Sequence, residues 1–80
     1  MMMNLDIVGE QLKVARKKRF PHEDLLTFAL RIGVSRATLQ KMEKGDLSVG
    51  LGKYYAAAKV LQLEDSFNGL FKIKHSLFDD

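Results

Sequence analysis

The chain has 80 residues, a formal net charge of +3 and no cysteine. That length is one small domain, and 46% hydrophobic residues give it a modest core that a second subunit would help stabilise. The missing cysteines exclude a disulfide framework and a thiolate metal site.

The start, Met1-Met2-Met3-Asn4, lacks the basic region and apolar run of a secretory signal. No stretch approaches the ~18 apolar residues of a membrane span. A cytoplasmic, nucleoid-associated protein is therefore expected, with no membrane partner.

In chain order, Leu5, Val8, Leu12 and Ala15 follow helical spacing and predict a first helix over about Ile7 to Lys18, with Asp6 as N-cap. Phe20-Pro21 interrupts it, because proline disfavours helix at the residue before it. A second helix starts between His22 and Leu25 and ends at Ile32, with Phe28, Ala29 and Ile32 on its buried face. Gly33 follows, where a left-handed residue commonly closes a helix. Ser35 stands in the N-cap position of a third helix, about Arg36 to Lys44, which Gly45-Asp46 ends. Ser48 is expected to cap a fourth, about Val49 to Gln62, with Leu51, Tyr54, Tyr55, Ala58 and Leu61 on its apolar side. Asp65 or Ser66 starts a short fifth containing Phe67, Leu70 and Phe71. Residues 73–80 read as a tail, with some strand propensity at 72–74. The fold class is thus all-α: a compact bundle of about five helices in one domain, residues 1–72.

Cations and acids are segregated. Lys13 to Arg19 holds five cations and no acid, and Arg36 to Lys44 holds three cations and one acid. Acids gather at Glu23-Asp24, Glu64-Asp65 and Asp79-Asp80. Such clustering can turn one face toward phosphate.

The third helix has two unlike faces. At 100° per residue, Arg36, Ala37, Gln40, Lys41 and Lys44 share one arc, while Leu39 and Met42 point toward a core. Arginine pairs bidentately with guanine, glutamine with adenine, and a small residue allows close approach to bases. Arg36, in the first turn, is the leading base reader, and Lys41 and Lys44 suit phosphate. The run Arg16-Lys17-Lys18-Arg19 can also meet phosphate, although cations favour a helix C-terminus in any case.

Ala29, Gly33, Val34, Ser35 and Leu39, followed by Met42-Glu43-Lys44-Gly45, resemble the helix-turn-helix of the Xre/Cro/lambda-repressor-like regulators. The resemblance covers about Val8 to Leu63, with the motif at about 25–44. It implies a lambda-repressor-like DNA-binding domain, with double-stranded DNA as partner. It also implies that Arg16 pairs with Glu43. Such a pair, if buried, fixes the angle between helices more than it adds stability. Two departures stand out: Leu25 where many members carry glutamine, and Phe20-Pro21 where members have a tighter link.

Other chemistry finds little support. Ser48 to Lys53, SVGLGK, is not a phosphate loop, because the glycine spacing is wrong and neither serine nor threonine follows Lys53. Its free amides can still hold a DNA phosphate with Lys53 nearby. His22 and His75 have no metal-ligand spacing. No nucleophile has a partner set, so neither an enzyme nor a cofactor is expected.

The expected function is a sequence-specific transcriptional regulator, a homodimeric repressor reading an inverted-repeat operator. Its DNA-binding residues are Ser35, Arg36, Ala37, Gln40, Lys41, Lys44 and Lys53. Phe67, Leu70, Phe71, Leu77 and Phe78 are candidates for the dimer interface, the alternative being core packing against the first helix. The short form with SRATLQ, MEKGD and SVGLG also resembles antitoxins that pair with HipA-type kinase toxins. That resemblance implies a kinase-like toxin as second partner and repression of its own operon. A third reading is a protein-interaction module that retains the shape.

Overall fold

The computed structural model describes residues 5–71. The expected tail 73–80 and the strand propensity at 72–74 lie outside the described residues. Four α-helices and one 3-10 helix make up the described chain, with no strand among those residues: α1 (Asp6–Arg19), α2 (Leu25–Ile32), α3 (Arg36–Glu43), α4 (Leu51–Val60) and the 3-10 helix Glu64–Gly69. None of them is long and apolar enough to cross a membrane.

Phe28 of α2 and Leu39 and Met42 of α3 are the largest fully buried side chains. Leu12 of α1, Ala29 and Ile32 of α2, and Tyr54, Ala57 and Leu61 around α4 close over them. α3 packs against both α1 and α2, and α4 packs against α2 and the 3-10 helix.

Local chemistry sets the ends. Asp24 caps α2 by accepting the Thr27 N–H at 2.9 Å, which places the start that the sequence left open. Before it, the Glu23 N–H donates to Phe20 O at 3.1 Å across Pro21. The Phe20 ring rests against Phe28, centroids 5.8 Å apart. The Arg31 guanidinium lies 4.3 Å from the Phe20 ring centroid and pairs with Glu23. The long α1–α2 link is thus anchored at both ends.

α2 ends at Gly33, φ +77°, with the Gly33 N–H on Leu30 O at 3.2 Å and the Val34 N–H on Ala29 O at 3.0 Å. This paired closure needs a left-handed residue, and glycine adopts that conformation without a Cβ penalty. α3 closes the same way at Gly45, φ +77°, with Asp46 N–H on Lys41 O at 3.0 Å. α4 closes so as well, but on Gln62, φ +61°, with Leu63 N–H on Ala58 O at 2.7 Å. Reading α4 through to Gln62 overran its end, because no glycine marks the closure.

Several other expectations need correction. α1 begins at Asp6, with Leu5 in the N-cap position. Gly50, not Ser48, is the N-cap of α4. Ser48 is used one step earlier, its N–H donating to Asp46 Oδ1 at 2.8 Å. Leu51 and Tyr55 are exposed at 57% and 42%, whereas Ala57 is buried in their place. Tyr55 instead meets Phe67 edge to face, centroids 5.4 Å apart. Val8 is also partly open to solvent. The fifth helix is of the 3-10 type, starts at Glu64, and leaves Leu70 and Phe71 beyond its end.

Candidate nucleic-acid interface

The candidate site is the outer face of α3. Ser35 is extended, and its Oγ accepts the Thr38 N–H at 3.0 Å. The same hydroxyl meets Thr38 Oγ1 at 3.0 Å. Ser35 is therefore a cap first, and its side chain is committed to its own helix. Leu39 and Met42 are fully buried, which fixes how α3 is rotated. Arg36, Ala37, Gln40, Lys41 and Lys44 are consequently all exposed on the side away from the core.

The rotation is locked a second time at the far end of α3. Arg16 Nε donates to Glu43 Oε2 at 2.6 Å and Arg16 Nη2 to Glu43 Oε1 at 3.0 Å. The two side chains are only 8% and 9% exposed. The bidentate geometry holds α1 and α3 at one angle. Arg16 is accordingly a structural cation and leaves the basic run as a phosphate candidate.

α1 contributes more to this face than the sequence reading assigned. Glu10, Lys13 and Arg16 of α1, Leu25 of α2, and Gln40, Glu43 and Lys44 line one shallow depression. Lys13 thereby joins Gln40 and Lys44. Glu10 sets a negative charge beside them. Leu25 stands where the depression borders Gln40's helix, an apolar group in a polar setting. The only signal for Lys13 in the sequence was its place in the cation run. Lys18 and Arg19 turn elsewhere and line a separate depression with Ala15, Leu61 and Leu63. Lys13 and Lys18 are five residues apart, which rotates them roughly 140° around α1.

Two acids face the cations of α3. The Asp24 carboxyl is held below the usual aspartate range, first by hydrogen bonds from Thr27 and then by the charge of Arg36. Asp46 is lowered by hydrogen bonds from Ser48 and then by the charge of Lys41. The net field of the face is therefore weaker than its cations alone suggest.

Lys53 is exposed in the first turn of α4 and does not line the α3 depression. A Cβ at Gly50 or Gly52 would meet nothing within 4 Å, and the Lys53 N–H donates to Gly50 O at 3.1 Å. No group of three or more His, Cys, Asp or Glu residues able to hold a metal occurs among the described residues. His22 is exposed, and His75 lies outside the described residues. The chain matches no protein-family model, no curated protein and no solved structure.

Proposed function

We propose that this chain is a sequence-specific regulator of transcription that binds double-stranded DNA, with α3 as its reading helix. The observation that carries the reading is the α3 face itself. Arg36, Ala37, Gln40, Lys41 and Lys44 are exposed together while Leu39 and Met42 are fully buried behind them. In this reading α2, the turn Gly33-Val34-Ser35 and α3 form the helix-turn-helix of Xre/Cro/lambda-repressor-like regulators. α3 enters the major groove, Arg36 pairs with guanine, Gln40 with adenine, and Ala37 lets the helix sit close. Lys41, Lys44 and Lys13 hold phosphates, and the start of α4 with Lys53 holds another.

One short helix reads few base pairs. Two copies on half-sites about one helical turn, ~34 Å, apart supply the remaining affinity and a palindromic operator. Regulation is then positional, through occupancy of the operator by a homodimer.

Selection of random duplex DNA by the purified protein, with affinity of the winner followed against salt, tests this. An enriched inverted repeat whose binding falls steeply with salt is the expected outcome. A second reading, a protein-interaction module, draws on Asp24 beside Arg36 and Asp46 beside Lys41, since acids oppose phosphate. It predicts no enriched sequence even at low salt.

A further inference from the structure

An apolar groove runs between α1 and the 3-10 helix, with α4 beneath it. Val8, Leu12 and Ala15 form the α1 wall, and Leu63, Ser66 and Phe67 form the opposite ridge. It shares no lining residue with the α3 depression. The groove holds about 140 Å³. An apolar cavity of about 150 Å³ takes up benzene, so the space matches one phenyl ring. The chain also carries a phenyl ring with no seat of its own. Phe71, four residues on from Phe67, is 93% exposed and does not line the groove. Its φ of +63° turns the backbone just past the ridge. Leu63 and Leu70, before and after the 3-10 helix, are about half exposed.

We infer that this groove is where two copies of the chain meet, each laying its 3-10 ridge into the other's groove with Phe71 seated there. The inference rests on the homodimer of the DNA-binding reading, names its interface, and leaves both α3 depressions uncovered. Two observations point to a second copy as the occupant. The first is fit. Hole and ring lie on one chain, on either side of one ridge, so a single two-fold axis satisfies both copies at once. The second is charge. At one end the groove passes Ala15, Leu61 and Leu63 into the depression lined by Lys18 and Arg19. Glu64 and Asp65 follow Leu63 directly and open the ridge. None of these four charges forms an ion pair among the described residues. The α1 wall therefore carries two cations, and the ridge two acids, at the same end of the groove. A two-fold axis along the groove lays each ridge beside the partner's α1 wall with like ends together. The acids of each copy then meet the cations of the other. A two-fold axis across the groove would set the charged end against the partner's Val8 end, away from those charges. Opposite charge across a contact fixes register in this way.

Sedimentation equilibrium of the purified full chain without DNA, over a concentration series through the micromolar range, is the first test. A monomer–dimer equilibrium is expected. A monomer throughout overturns the proposal, and a monomer that still selects a DNA sequence leaves the DNA-binding reading standing without it. Phe71→Ser is expected to weaken the dimer about tenfold or more, with circular dichroism verifying that the variant is folded. Lys18→Glu and Asp65→Lys are each expected to weaken it about tenfold. The double variant Lys18→Glu with Asp65→Lys is expected to recover the parent's dimer, because each reversed charge meets the other across the contact. Additive losses in the double variant overturn the pairing of ridge and α1 wall. The chain has no cysteine, and Ser66 lines the groove side of the ridge, so the two-fold axis brings Ser66 beside its own copy. Ser66→Cys with a short bismaleimide is expected to give a product of dimer mass about tenfold faster than Ala37→Cys on the α3 face. Equal rates, or a dimer that ignores all of these substitutions, place the contact elsewhere and overturn this interface.

Discussion

Gly9 and Gly45 stand back to back where α1 crosses the end of α3. A Cβ on Gly9 would lie 2.7 Å from Gly45 N and 2.7 Å from Glu43 O, and one on Gly45 would lie 2.4 Å from Leu5 O. Backbone therefore meets backbone at this crossing. In an ordinary exposed helix, glycine to alanine gains up to about 1 kcal/mol. Here the sign reverses, because backbone cannot swing aside as a side chain can. Gly9→Ala is expected to cost about 1–3 kcal/mol in urea unfolding. A variant as stable as the parent would mean the crossing is looser than described.

The Arg16–Glu43 pair, 27 residues apart in sequence, locks the same two helices. Glu43→Ala is expected to cost about 3–5 kcal/mol, because it leaves a guanidinium buried without its partner. The double variant Arg16→Met with Glu43→Leu removes both charges and is expected to lie within about 2 kcal/mol of the parent. Denaturant melts of the two proteins check this. Equal losses in both would assign the pair a net stabilising role rather than an orienting one.

On the DNA-binding reading, variants of the α3 face separate base readers from phosphate contacts. Arg36→Ala is expected to lose about 1–3 kcal/mol on the selected operator and to relax preference at one base position. Lys44→Ala and Lys13→Ala are each expected to weaken all sequences alike and to lower the salt slope by about one. Glu10→Gln is expected to tighten binding to any sequence, since it removes a negative charge from the same depression. Equal loss on operator and random DNA for Arg36→Ala would sink its assignment.

Acid stability follows from three carboxylates. Glu23 is held low by its hydrogen bond to Arg31, Asp24 by Thr27, and Asp46 by Ser48. A folded-state value below the unfolded one means the contribution is complete above the ordinary carboxylate range near pH 4. It is lost as pH falls through the lowered folded values. Unfolding stability is thus expected to be flat from neutrality to about pH 5 and to fall below about pH 4. Asp24→Asn keeps an N-cap acceptor but no longer titrates, so its curve should fall less steeply between about pH 5 and pH 3. A slope matching the parent's would remove Asp24 from the account.

What could be read from the sequence was local. The turn from Gly33 to Ser35 could be read because its requirements, a left-handed residue and a cap, act within five residues of chain. Phe28, Ala29, Ile32, Leu39 and Met42 could be read because helical spacing alone separates their face from the other. The fourth helix was harder. Its apolar residues run nearly all round, so Tyr55 and Leu51 looked as buried as Tyr54, and only the seat against α2 chose among them. Ser48 was the expected cap, but α4 starts two residues later on Gly50, and the Asp46 carboxylate accepts the Ser48 N–H instead.

The sequence by itself thus determined an all-helical chain, its turns, and which face of α3 is polar. Tertiary structure alone decided what stands beside that face. Gly9 reads as a weak spot in α1 until α3's backbone is brought against it. Lys13 and Lys18 are equivalent cations until the rotation of α1, set by Arg16 and Gly9, sends one toward Gln40 and the other toward Leu63. Spacing along a helix fixes relative direction, but only a packed neighbour turns direction into place.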